Sequence, residues 1–146
     1  MKRTFFLLMV GMTYQATAQP IVVRVQWTGE VCSSAPHRLL MDDISRPKDA
    51  TGLTLTFRAQ SNGREVKATV GSHSLLQLSL EAGTWEVFAP EKRRHYGSLA
   101  EKDSLCQQWK NTPNALLTFT SLMRDTLQLH LHRTCAPCLT LIKPVE

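Results

Sequence analysis

Beyond its amino-terminal stretch the sequence has no long apolar run, so no later segment approaches the roughly 20 residues that a membrane-spanning helix needs. It has no internal repeat and no low-complexity segment, which argues against a solenoid or a disordered tail. No nucleophile elbow, glycine-rich phosphate loop, HExxH pair or second CxxC occurs. The paired carboxylates Asp42-Asp43 and the scattered Ser and His residues show no catalytic spacing. Basic residues are not drawn into a stripe with interleaved aromatics. The one dense run, Lys92-Arg93-Arg94-His95, reads as a solvated loop rather than a polyanion surface, and no nucleic-acid partner is expected.

What is present at the amino terminus is a three-part export pattern. Lys2 and Arg3 give a short basic start, an apolar run extends from Phe5 to Met12, and Ala16-Thr17-Ala18 supplies the small-residue ending of a signal peptide. Residues 1–18 are therefore read as a signal peptide cleaved near Ala18, leaving residues 19–146 as one domain in the periplasm or outside the cell. No cysteine stands near the cleavage site to carry a lipid anchor. The remaining 128 of the 146 residues suffice for a single domain with its own core, and loss of Lys2 and Arg3 lowers the net charge from +5 to about +3.

The organising stretch is Leu75–Pro90. Leu76, Leu78 and Leu80 alternate with Gln77, Ser79 and Glu81, and Trp85 and Val87 alternate with Thr84 and Glu86, the period of two that strands with one buried face require. With Gly83 providing positive φ at the connection, the stretch predicts a β-hairpin, with Trp85 in the core. Before it, Ile21, Val23, Val25 and Trp27 mark a first strand, and Thr28–Ala50 reads mostly as loop, with one helical turn or short edge strand over Arg38–Ile44. Leu53, Leu55 and Phe57 then pair through an Asn62-Gly63 turn with Val66, Ala68 and Val70.

After it, Ser98-Leu99-Ala100-Glu101 fits a capping box, so a short helix is predicted with Leu99, Cys106 and Trp109 on one face and Leu105 beside them. It should lie across the surface or one end of the fold. Leu117 and Phe119, then Leu127, Leu129 and Leu131, and last Leu139 and Leu141 suggest further strands. About eight strands at short spacing with one helix predict an all-β fold, an antiparallel β-sandwich tied by disulfides.

The element Leu78-Ser79-Leu80-Glu81-Ala82-Gly83-Thr84-Trp85-Glu86-Val87, within Leu53–Pro90, resembles the Gly-Thr-aromatic hairpin of prealbumin-like or carboxypeptidase-regulatory-like β-sandwich modules in secreted bacterial proteins. Trp85 stands where Tyr is usual and Ala82 where Pro is common. The resemblance implies a sandwich fold and no single activity.

Cys32, Cys106, Cys135 and Cys138 are an even set in an exported chain, which points to a disulfide framework, with Cys135 and Cys138 bonded to the distant Cys32 and Cys106 in either pairing. A second reading makes Cys135-Ala136-Pro137-Cys138 a redox pair, though it lacks the βαβ setting of that chemistry. In a third, His130 and His132 on one strand face join Cys135 and Cys138 to hold copper or zinc. The function expected is a non-catalytic binding or structural module without a cofactor. Its partner would be a protein, an envelope component, or a glycan bound through exposed aromatics such as Tyr96 or Phe88; the alternative is a protein that handles thiols or metal.

Overall fold

The computed structural model describes residues 17–30 and 46–138. Eight strands fall within them: β1 (Gln19–Gly29), β2 (Lys48–Asp49), β3 (Thr54–Ala59), β4 (Glu65–Thr69), β5 (Leu75–Leu80), β6 (Gly83–Phe88), β7 (Ala115–Phe119) and β8 (Leu127–Arg133). One sheet is centred on β1, with β5 and β2 along one edge and β8 along the other. The second runs β4-β3-β6-β7. The fold is thus the all-β sandwich expected, and among the described residues it carries one α-helix, α1 (Ser104–Asn111).

The core follows from the alternation. Val23 and Val25 of β1, Leu76 and Leu80 of β5 and Leu131 of β8 face Leu55 and Phe57 of β3, Trp85 and Val87 of β6 and Phe119 of β7, all essentially inaccessible to solvent. Residues of opposite parity point outward, and these inward-facing residues form one contiguous cluster between the sheets. The Asn62-Gly63 turn joins β3 to β4 with Phe57 opposite Val66. Gly63 sits at φ 72 within a five-residue connection, and its N–H donates to the Ala59 carbonyl at 2.8 Å.

The pairing of the central stretch differs from expectation. Both strands of Leu75–Pro90 exist and Trp85 is buried, yet β5 and β6 are not hydrogen-bonded to each other. β5 pairs with β1, and β6 lies between β3 and β7 in the facing sheet. The stretch is an arch from sheet to sheet. A two-residue hairpin across Ala82-Gly83 would need positive φ at Ala82 in a type I′ turn, or glycine first in a type II′ turn, and only Gly83 has positive φ, at 143°. At that φ, which side-chain-bearing residues rarely adopt, the chain passes out of one sheet and into the other.

A second departure is the β1–β8 pair, which is parallel, so the sheet holding β1 is mixed rather than purely antiparallel. Val25 stands opposite Leu129 and Trp27 opposite Leu131. β2 is an added strand within the stretch read as loop, pairing Asp49 with Gln26. The Arg38–Ile44 segment, Asp42 and Asp43, the export pattern up to Ala16, and the strand expected at Leu139 and Leu141 lie outside the described residues.

The helix also begins later than its sequence suggests. α1 is capped by Asp103, whose carboxylate accepts from the Cys106 N–H at 3.0 Å, while Ala100–Lys102 form a separate 3-10 turn. Ser98 is not the cap, because an aspartate followed by eight helical residues satisfies the first-turn amides better than a serine preceding a 3-10 turn. Leu99 and Leu105, expected on the buried stripe, are exposed at 81% and 64%. Cys106 and Trp109 are the anchors. They pack with Tyr96, Ala100, Cys138 and Ala136 in a small second core apart from the sandwich interior.

Candidate functional site

The second core sits at the end of the sandwich where β6 and β8 finish and β7 begins. Asn114, immediately before β7, binds both sheets there. Its own N–H donates to the Val87 carbonyl and its Oδ1 accepts from the Ala89 N–H, both at 2.8 Å. Its Nδ2 donates to the His132 carbonyl at 2.8 Å, and its carbonyl accepts from the His132 N–H at 3.3 Å.

Around this junction the cationic side chains lie on aromatic faces. The Arg133 guanidinium is 4.6 Å from the Trp27 ring centroid and grips the Glu91 carboxylate with two hydrogen bonds, of 2.8 and 3.1 Å, while Lys48 approaches the same ring at 5.5 Å. The Lys92 ammonium lies 5.0 Å from the Trp109 ring and donates to the Thr112 carbonyl at 2.6 Å. Lys110 donates to Glu101 at 2.7 Å, and this bond is the main cause of a Glu101 pKa below the usual carboxylate value. Burial pushes the Lys92 ammonium below its ordinary pKa and the Tyr96 phenol above its own.

Two concavities flank Thr134. One, of about 490 Å³, is walled by Lys92, Leu105, Trp109, Asn114, Thr134 and Pro137. The other, of about 350 Å³, is walled by Trp27, Glu91, Tyr96, Arg133 and Cys135. A third, of about 320 Å³, lies at the opposite end beside the arch, formed by Ala59–Ser61 and Glu81–Trp85.

The residues singled out in the sequence are distributed as follows. Cys106 and Cys138 form a disulfide that fastens α1 to the segment after β8. Cys135 is also disulfide-bonded; Cys32 lies outside the described residues. Cys135 and Cys138 are therefore not joined to each other, which removes the CAPC bridge of the redox reading, and the two sulfurs are not thiolates that a metal could use. His130 and His132 do share the outer face of β8, where both approach the Thr28 hydroxyl, at 3.2 and 3.4 Å. His132 also meets Glu30 at 3.4 Å. Among the described residues no group of three or more His, Cys, Asp and Glu side chains is placed to hold a metal ion.

Two further expectations are corrected. Phe88 and Tyr96 are not exposed platforms. Phe88 is fully buried between the Arg58 and Arg93 guanidiniums, at 4.7 and 4.0 Å from its ring, and Tyr96 is 9% exposed with its hydroxyl donating to the Glu91 carbonyl at 2.8 Å. An outward position on β6 is covered here because two arginines lie across it. For the same reason Lys92-Arg93-Arg94-His95 is not uniformly a solvated loop. Lys92 is 2% exposed and Arg93 pairs with Glu65 at 2.8 Å, while Arg94 and His95 remain outside.

Sequence reasoning read Lys92 as part of a solvated run and so missed its burial, and it missed Asn114 altogether. The only signal for either was local: a lysine following Pro90 in a short turn, and an asparagine following Pro113 at a strand start. Comparison with protein-family models, with curated proteins and with solved structures finds no match.

Proposed function

We propose that this protein is an exported, non-catalytic β-sandwich module of the prealbumin-like kind that binds a ligand or partner at its helix-bearing end. The observation that carries the reading is the commitment of the reactive groups there. Cys106, Cys138 and Cys135 are in disulfides, and Glu91 and Glu101 are held by Arg133 and Lys110. These sulfurs and carboxylates are thereby occupied within the protein, and concave surfaces walled by tryptophan and proline are left.

The chain's first 18 residues support export, and an oxidising compartment is where such a disulfide framework persists. The test uses protein recovered from the cell envelope without reductant. Its mature amino terminus is expected at Gln19, and alkylation after denaturation is expected to label no cysteine. A labelled Cys135 and Cys138, together with bound copper or zinc, would replace this reading with the thiol and metal one.

A further inference from the structure

Lys92 is the buried cation of the helix-bearing end, and Glu91, the carboxylate whose charge acts on it, is already paired with Arg133. Arg133 is matched by Glu91 and Lys110 by Glu101. Lys92, 2% exposed, has one hydrogen bond, to the Thr112 carbonyl, and otherwise rests on the face of Trp109. An ammonium carries three N–H donors, so beyond the Thr112 carbonyl it can take further acceptors from the groove it lines. A buried cation in that condition is costly unless an anion or further acceptors complete it.

The other buried polar groups of the groove are already engaged. Asn114 uses both ends of its amide, and the Thr134 hydroxyl accepts from the Trp109 indole N–H at 2.8 Å. The rest of the wall sets the apolar Leu105, Trp109, Pro113 and Pro137 beside Gln108, Thr112 and His132, and Leu105 is open to solvent.

We propose that this groove binds a small carboxylate carrying an apolar or aromatic body, with the carboxylate at the Lys92 ammonium and the body against Trp109, Leu105 and Pro137. The proposal rests on the binding-module reading and names its ligand class. One ammonium beside the Trp109, Leu105 and Pro137 surface suits a singly charged carboxylate. A phosphate, more strongly hydrated and more highly charged, is better served by several cationic side chains, and the lining holds one lysine and no arginine. The volume of about 490 Å³ falls within the range of small-molecule sites. In the neighbouring concavity Glu91 and Glu30 stand in the wall, and Glu91 holds Arg133 with two hydrogen bonds, so carboxylates of the protein itself compete there with an incoming anion.

The test titrates the full mature chain with phenylacetate and, as its neutral counterpart, phenylacetamide, following backbone amide resonances. Saturable shifts confined to Leu105–Asn114 and His132–Pro137 are expected with phenylacetate, with phenylacetamide weaker by roughly tenfold or more, the scale of one charge-assisted hydrogen bond. Lys92→Met should erase the difference between the two probes. Because that position is buried, Leu105→Glu at the exposed rim provides a variant that leaves the fold intact, and it should weaken phenylacetate several-fold while sparing phenylacetamide. Equal affinity for both probes, absence of saturable shifts, shifts outside the groove, or displacement by equimolar inorganic phosphate would overturn the proposal. Failure here with every cysteine still oxidised removes the ligand class alone, whereas free thiols in the native protein remove the module reading beneath it.

Discussion

Trp85 and Asn114 connect the two sheets by different physics. Trp85 fills the space between them, 2% exposed, with its indole N–H donating to the Glu81 carbonyl at 2.9 Å, so the ring satisfies its polar atom at the arch it helps to close. Trp85→Ala should cost about 3 to 5 kcal/mol, and a denaturant midpoint within about 0.5 kcal/mol of the parent would show that the ring is not packed as described. Asn114 adds little volume; it spans β6 and β8 through hydrogen bonds of 2.8 Å to Ala89 and His132. Asn114→Ala leaves a buried N–H and a carbonyl without their side-chain partners, and roughly 2 to 4 kcal/mol of destabilisation is expected in the same melts. Asn114→Asp keeps the acceptor for Ala89 but sets a carboxylate against the His132 carbonyl, so it should be the more destabilised variant at neutral pH and recover in acid. A variant indifferent to pH would contradict that placement.

At the scale of elements, α1 depends on a covalent tie more than on the sandwich. Its buried contacts are Cys106 and Trp109 within the small second core, and the Cys106–Cys138 bond spans a sequence separation of 32, a closure of about 3 to 4 kcal/mol in the chain-entropy account. Paired Cys106→Ala and Cys138→Ala substitutions should therefore speed hydrogen exchange over Tyr96–Asn111 while β3 and β6 stay protected; uniform acceleration through both sheets would mean that the two cores unfold together. This division also explains what could be read from the chain. Strand alternation is local, so β1, β3, β4, β5, β6, β7 and β8 were all legible as strands. Partnership is not local: Leu76, Leu80, Trp85 and Val87 present the same inward pattern whether their strands pair edge to edge or face each other across the core. The parallel contact of β8 with β1, between Val23 and Leu127, left no mark on either segment. Nor did the site: the burial of Lys92 and Phe88 depends on Trp109, Arg58 and Arg93, which come from other elements.

For the whole molecule, the ion pairs and caps place most of the electrostatic stabilisation on ionised carboxylates. Arg58–Glu86, Arg64–Glu81, Arg93–Glu65 and Arg133–Glu91 lie on the outer surfaces, where each contributes modestly. Asp49 is the sharper case. Its Oδ1 accepts from the Ser74 hydroxyl at 2.6 Å, the Thr51 hydroxyl at 2.6 Å and the Thr51 N–H at 2.7 Å, which lower its pKa from 3.8 to about 2, the Ser74 bond foremost. The same serine accepts from the Ala50 N–H at 2.9 Å and stands at φ 58, next to His73 at φ 58, so the Asp49 carboxylate holds two left-handed side-chain-bearing residues in the turn that leads into β5. Because the folded pKa is depressed, this stabilisation is fully present above the unfolded value and is lost as pH falls from 3.8 toward about 2; the lowered pKa of Glu101 acts in the same direction. Urea midpoints should thus be level near neutrality and decline through that acid window, with a shallower decline for Asp49→Asn. Ser74→Ala removes the largest cause, and the Asp49 carboxyl resonance should then titrate closer to the ordinary aspartate range. An Asp49 titration unmoved by Ser74→Ala, or an Asp49→Asn variant with the parent's acid slope, would show that the turn before β5 is not held by this carboxylate.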